Sequence, residues 1–269
     1  MASGLKQRIQ TAIIIGIPIL FLVFFNDTTR LVFISLIAVL ASFEFIQLNY
    51  TSLKQSAVGM ISFLLGIILI AATFFLVIPI TILLAVSLIL NLTLIYDLYH
   101  REKSFLSESP WFWNIGYVIL PFILLLIFKS STYFSQIVIS TLLLIWISDI
   151  SAYFVGKSTG KRKLFPKVSP GKTWEGFLGA GLTTVIFSYF FFSYFKSFNL
   201  QVWALIGLSA WLFGSIGDLV ESKFKRIKDI KDSGQILPGH GGFLDRFDGF
   251  IFCIPFILVI IYIFETYKF

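Results

Sequence analysis

The sequence predicts an all-α, polytopic integral membrane protein of about nine transmembrane helices, with its N-terminus in the cytoplasm. Three observations predict this class. Of the 269 residues, 57% are hydrophobic and only 13% charged, against roughly 45–50% and about 25% in soluble domains. Mean hydropathy is +0.91, which excludes soluble and disordered chains. The apolar residues run in continuous stretches rather than alternating with polar ones, which excludes a membrane β-barrel. Cys253 is the one cysteine, so there is no internal disulfide and no multi-cysteine metal site; His100 and His240 alone argue against a His-rich zinc site.

A helix crosses the hydrocarbon core with roughly 20 mostly apolar residues. Nine stretches qualify, near 9–25, 30–49, 57–73, 75–96, 111–128, 135–156, 174–195, 200–219 and 248–265. Lys6 and Arg8 before the first imitate a signal peptide. Phe24-Phe25-Asn26-Asp27 follows it without a small-residue cleavage pattern, so it is read as a retained helix. Ala71, Ala72 and Thr73 are the only break between the third and fourth stretches. Pro79 then falls early in the fourth, where proline is tolerated.

Orientation follows from lysine and arginine. Nine spans place the N-terminus and the loops near 50–56, 97–110, 157–173 and 220–247 on one side. Seventeen of the 21 Lys and Arg lie there; only Arg30, Lys129, Lys196 and Lys268 lie opposite. Positive residues stay cytoplasmic. The two large polar loops, 157–173 and 220–247, then share the nucleotide-containing compartment, at the inner or plasma membrane of the cell.

The two halves differ. Residues 1–134 read as a transmembrane scaffold and residues 135–269 as a catalytic region. Within the first half Glu44 is the one acid that could lie inside a span, near its cytoplasmic end, by snorkelling or by hydrogen bonding between helices, with a site role as the alternative. Eight acids fall in 145–250. Asp149 interrupts an apolar span, Asp218 closes Gly214-Ser-Ile-Gly-Asp218, and Asp245 and Asp248 open the last span. Their i, i+3 spacing puts Asp245 and Asp248 on one helix face. Unpaired carboxylates at membrane depth cost at least a few kcal/mol. Mg²⁺, with room for a second cation, would relieve this for Asp218, Asp245 and Asp248, because it bridges carboxylates to phosphates. Pairing with Arg246 and Lys223 in a structural ion network is the alternative.

Ser222-Lys-Phe-Lys-Arg-Ile-Lys228 concentrates four cations in seven residues. Phe224 and Ile227 suit a short amphipathic helix on the membrane surface, and such a run also suits anionic lipid. The glycine-rich stretch Asp232–Gly242 leads from it to Asp245, and a loop of this kind at a helix N-terminus suits phosphate. Upstream, Gly171-Lys172-Thr173 resembles part of a Walker A loop, but position 166 is Pro where that motif needs Gly, and no βαβ context exists. Ser169-Pro-Gly-Lys-Thr-Trp-Glu175 instead reads as a capped helix start with Lys172 and Thr173 placed for triphosphate.

The stretch from Ser222 through Phe224, Lys225, Arg226, Lys231, Asp232, Gly234, Leu237, Pro238, His240, Gly241, Gly242, Asp245 and Arg246 to Asp248 resembles the signature of the phosphatidate cytidylyltransferase family, also called CDP-diacylglycerol synthases. Asp149, Ala152, Tyr153, Gly156, Gly160 and Ser169–Gly176 resemble that family's upstream pattern. The resemblance covers 149–248; the first half matches only in hydropathy.

The resemblance implies transfer of CMP from CTP to phosphatidate, giving CDP-diacylglycerol and pyrophosphate for phospholipid biosynthesis. It implies catalytic roles for Asp218, Asp245, Asp248, Lys223 and Arg246. Contacts to substrate phosphates fall to Asp149, Ser169, Lys172, Thr173, Glu175, Ser222, Lys225, Arg226, Lys231, His240, Gly241 and Gly242. Membrane lipids and a second copy of the chain are implied partners; nucleic acid is not. A CTP-dependent lipid kinase and a transporter are the alternatives. The complete signature argues against the first, and the one-sided charge against the second.

Overall fold

A computed structural model describes residues 21–22, 25–50, 53–73, 79–234 and 242–267. The expected first span, 9–25, thus lies outside the described residues except for 21–22 and 25. The described elements are α1 (Asp27–Asn49), α2 (Leu53–Ala72), α3 (Ile80–His100), α4 (Pro110–Ile127), α5 (Phe134–Thr159), strands β1 (Lys163–Phe165) and β2 (Ser169–Thr173), α6 (Trp174–Phe195), α7 (Leu200–Ile227) and α8 (Leu244–Tyr267). Among the described residues seven helices are long and apolar enough to cross a membrane, and α2 adds a shorter apolar stretch. The protein is therefore an all-α polytopic membrane protein.

Local chemistry sets the helix starts. Asn26 accepts a hydrogen bond from Thr29 N at 2.8 Å while Thr29 Oγ1 accepts from Asn26 N at 3.3 Å, a reciprocal capping box. It moves the start of α1 to Asp27, three residues earlier than hydropathy indicates. Pro79 stands just before α3 rather than inside it, because its fixed φ, here −62°, and missing N–H suit a helix start. Asn199 and Thr173 cap α7 and α6 through Val202 N and Gly176 N.

The largest departure is α7. Hydropathy ends it at 219, whereas the helix runs to Ile227. The cation run is therefore its last two turns and not a helix lying on the membrane surface. Phe224 is fully buried and stacks on Phe45 of α1, ring centroids 5.5 Å apart; Lys223 and Lys225 are buried beside carboxylates. Internal ion pairs let charged residues continue a buried helix. Asp229, at φ 54°, ends the turn in the left-handed region that Asp tolerates.

α8 is the centre of the bundle. Ile251, Phe252, Cys253, Ile254, Ile257, Leu258 and Ile261 are fully buried. It packs against α7 and also touches α1, α3, α4 and α5, so both halves of the chain share one core. In lipid, close approach through small residues drives such packing. A Cβ at Gly217 would lie 2.8 Å from Asp248 O and 2.6 Å from Phe252 Cβ. α7 and α8 therefore meet backbone to backbone beside Asp218 and Asp248. A π-helical segment, Asn114–Ile119, lies within α4, where buried Asn114 Oδ1 accepts from Ser42 Oγ of α1 at 2.9 Å.

The polar segments gather at one end of the bundle. There the tails of α1, α3, α5 and α7 meet the starts of α4, α6 and α8. Within loop 157–173 β1 and β2 form an antiparallel hairpin, Lys163 opposite Thr173 and Phe165 opposite Ser169. At the far end, Lys129 donates to Thr73 O and Ser131 to Glu265.

Candidate active site

A cavity of about 380 Å³ opens between α5, α7 and the hairpin, lined among others by Asp149, Tyr153, Ser169, Lys172, Ser215 and Asp218. α5 supplies Asp149 from the middle of an apolar run. The hairpin folds Lys172 back over α7, where its Nζ lies 2.6 Å from Asp218 Oδ2 and donates to Ser215 O at 3.3 Å. Burial acts to lower the Lys172 pKa. The Asp218 charge and hydrogen bond, helped by Asp149 and Asp248, more than offset this, so the net shift is upward. Lys172 is thus a fixed cation on the cavity wall. Ser222 Oγ donates to the other Asp218 oxygen at 3.1 Å.

A second group adjoins the first through Asp248. Asp248 lies within electrostatic reach of Asp218 and of Glu221; its Oδ1 accepts from Gly249 N at 2.7 Å. Lys225 Nζ bridges Glu221 Oε2 at 2.9 Å and Asp245 Oδ1 at 2.5 Å. Asp245 Oδ2 accepts from Ser233 N and Gly242 N, both at 2.8 Å. The order along the site is Lys172, Asp218, Asp248, Glu221, Lys225, Asp245, with three carboxylates between the two lysines.

The other expected residues occupy varied places. Arg246 is exposed, and its charge acts on Asp149. Arg226 donates from Nε to Val168 O at 3.3 Å, tying α7 to the hairpin. Thr173 spends its hydroxyl on the α6 cap, and Glu175 accepts from Lys161 N at 3.0 Å and from Arg162 N, bracing the chain that enters β1. Lys231 is exposed. Lys223 points away from the cavity: it donates to the backbone and carboxylate of Asp97 on α3 and is buried there. His240 and Gly241 lie outside the described residues.

Among the described residues no three His, Cys, Asp or Glu side chains converge into a metal-binding group. The donor chemistry nonetheless fits a hard divalent cation. Asp218, Asp248, Glu221 and Asp245 offer only oxygen, which Mg²⁺ requires, and Glu221 Oε1 is buried without a hydrogen-bond partner.

Glu221 and Asp97 are the residues that sequence reasoning passed over, and Glu44 the one it marked without a partner. Glu221 follows Asp218 at i+3, the same spacing that singled out Asp245 and Asp248. Asp97 carries no such signal, being a lone acid at the end of an apolar run.

The fold and site define a membrane-embedded enzyme whose charged cavity, at one end of the helices, is suited to phosphate groups. The Cytidylyltransferase family model matches residues 6–264. A phosphatidate cytidylyltransferase of Staphylococcus aureus (strain COL) is 36% identical over 265 residues, covering 96% of this chain and 99% of that protein. Those of Staphylococcus haemolyticus and Staphylococcus epidermidis are 36% and 33% identical over 264 residues each, with the same coverage. The chain belongs to the Cytidylyltransferase family.

Proposed function

We propose that this protein is a phosphatidate cytidylyltransferase, working at the cytoplasmic face of the membrane. One observation carries the reading: the Lys172–Asp218 pair lines a cavity, and Asp218 lies within electrostatic reach of Asp248 and of Lys225, which engages Glu221 and Asp245. It is supported by full-length similarity to proteins named for that activity.

The reaction joins two anions. A phosphatidate oxygen attacks the α-phosphorus of CTP; the bond from that phosphorus to the bridging oxygen breaks, and pyrophosphate leaves with the electron pair. The lipid phosphate has a second pKa near ~6, so it is already largely ionised at neutral pH, and no strong general base is required. Repulsion between the phosphates is the main obstacle. Lys172, with Ser169 beside it, faces the nucleotide phosphates, and Arg246 adds positive charge from the start of α8. Asp218, Asp248 and Asp245, joined by Glu221, would hold Mg²⁺. When bound, the ion supplies charge neutralisation and stabilises the departing pyrophosphate. The acyl chains stay in the bilayer while the head group reaches the polar end of the bundle. The cytoplasmic assignment rests on the side that carries most of the Lys and Arg.

The test is incubation of the purified protein with Mg²⁺, phosphatidate and CTP labelled either on the α- or the γ-phosphorus, followed by lipid chromatography. α-Labelled CTP is expected to give a labelled CDP-lipid, and γ-labelled CTP to give labelled pyrophosphate and unlabelled lipid. γ-Label in the lipid would identify a kinase instead, and no labelled lipid from either substrate would remove the reading.

A further inference from the structure

The carboxylate of Glu44 lies at the polar end of α1, in the half of the chain without the signature, and is buried. Its Oε2 accepts from Leu244 N at 2.8 Å and from Ser233 Oγ at 3.2 Å. Those two residues stand on opposite flanks of the glycine-rich stretch. The Ser233 hydroxyl also accepts from Asp245 N at 3.3 Å, and Ser233 N donates to Asp245 Oδ2. One carboxylate thus joins both flanks to the residue that engages Lys225.

The packing is equally specific. A Cβ at Gly234 would come within 2.6 Å of Glu44 Oε1, and one at Gly242 would collide with Glu44 Oε2 and the Ser233 hydroxyl. The flanks close on Glu44 as tightly as glycine permits. The base of the clamp is fixed as well, because the adjacent Phe45 stacks on Phe224, one residue from Lys225. The distance from α1 to the Lys225–Asp245 pair is therefore set by a ring contact and by hydrogen bonds.

We infer that Glu44 is a positioning residue for catalysis: it clamps Ser233 and the start of α8 so that Asp245 presents one oxygen to Lys225 and the site. It acts through hydrogen bonds and touches no reacting atom. The inference rests on Asp245 belonging to the catalytic machinery.

The experiment uses the full chain in detergent, with Glu44→Ala, Glu44→Gln, Glu44→Asp and Asp245→Asn compared for kcat, for KM toward CTP and for amide exchange. Glu44→Ala is expected to lower kcat about tenfold or more, since misplacement by about 1 Å can cost on the order of 10²-fold, with little change in KM for CTP. Exchange should quicken at 231–234 and 242–246 and stay as in the parent protein across the hairpin 163–173, a pattern that general destabilisation would not give. Glu44→Gln keeps an acceptor at full reach and should retain most turnover; Glu44→Asp keeps the charge but is one methylene short and should lose it. That order decides the matter if Glu44→Ala does not fold. Parent-like turnover in folded Glu44→Ala or in Glu44→Asp, or an inactive Glu44→Gln with parent-like exchange at 231–246, overturns the clamp. An active Asp245→Asn would instead remove the catalytic reading of Asp245, while the exchange pattern would still decide whether Glu44 orders the flanks.

Discussion

Lys172 of the hairpin and Asp218 of α7 are 46 positions apart in sequence, and their charged atoms lie 2.6 Å apart. The pair closes one wall of the cavity and joins the upstream motif to the carboxylates of α7 and α8. Under the proposed function an incoming phosphate would compete with Asp218 for the lysine and leave the carboxylate to a cation.

Lys172→Ala should therefore weaken use of CTP. Loss of a charge-assisted hydrogen bond is worth about 1.5–3 kcal/mol, so KM for CTP should rise about tenfold or more while the purified variant stays monodisperse. An unchanged CTP dependence would reduce the hairpin lysine to a surface anchor. The same pair predicts a pH response. Burial acts to lower the Lys172 pKa, but Asp218 outweighs it and the net value is raised. A raised lysine contributes its stability in full below the unfolded value of about 10.4 and loses it as pH rises through the folded value. The melting-temperature gap between the parent and Lys172→Met should hold from pH 7 to about 10 and narrow only above that; narrowing near pH 8 would contradict the pairing.

Asp245→Asn and Asp248→Asn separate metal-centred chemistry from a structural ion network. Each variant should fold, because the amide preserves shape and most hydrogen bonds, yet lose turnover. Loss of charge compensation where two phosphates meet should remove several kcal/mol of barrier lowering, at about 1.4 kcal/mol per tenfold in rate. Turnover measured across a Mg²⁺ titration checks this. A well-folded Asp248→Asn protein with parent-like rate and Mg²⁺ dependence would exclude that residue as a ligand.

Lys223 carries a different expectation. Its partner is Asp97, and both side chains are buried. Removing one member of a buried pair strands a charge at a cost of about 3–5 kcal/mol, whereas replacing both with apolar groups can be neutral. Lys223→Met should lower thermal stability sharply, and Lys223→Met with Asp97→Leu should restore it along with activity. A stable single variant without turnover would return Lys223 to the catalytic set.

Sidedness is checked by labelling. Cys253 is fully buried, so it should be silent to a membrane-impermeant thiol reagent. Cysteines introduced at Lys167 and Asp229, both exposed at the polar end, should react only from the cytoplasmic side. Labelling of the two from opposite sides would break the shared compartment on which the site depends.

The membrane class, most of the spans and the pairing of Asp245 with Asp248 on one face were legible, because hydropathy and helical spacing are local properties. The extension of α7 was not. Cations at 223, 225, 226 and 228 read as lying beyond the end of a membrane helix, since the cost of burying Lys223 and Lys225 is offset only once Asp97 and Asp245 arrive from elsewhere in the chain to join Glu221. The hairpin was hidden for a related reason: Ser169–Thr173 has no strand-like alternation and gains its pairing from Lys163–Phe165.

By itself the sequence determined a helical membrane protein with eight of its 14 acids in residues 145–250, because solvent transfer and short-range spacing act on each segment separately. Only the tertiary structure decided which charges meet. It directed Lys172 to Asp218, Lys225 to Glu221 and Asp245, Lys223 to Asp97, and Glu44 to Ser233 and Leu244. The physical reason is that a buried charge is tolerable only beside a partner, and the partner is chosen by how helices pack, here through the contact of Gly217 with the backbone of α8.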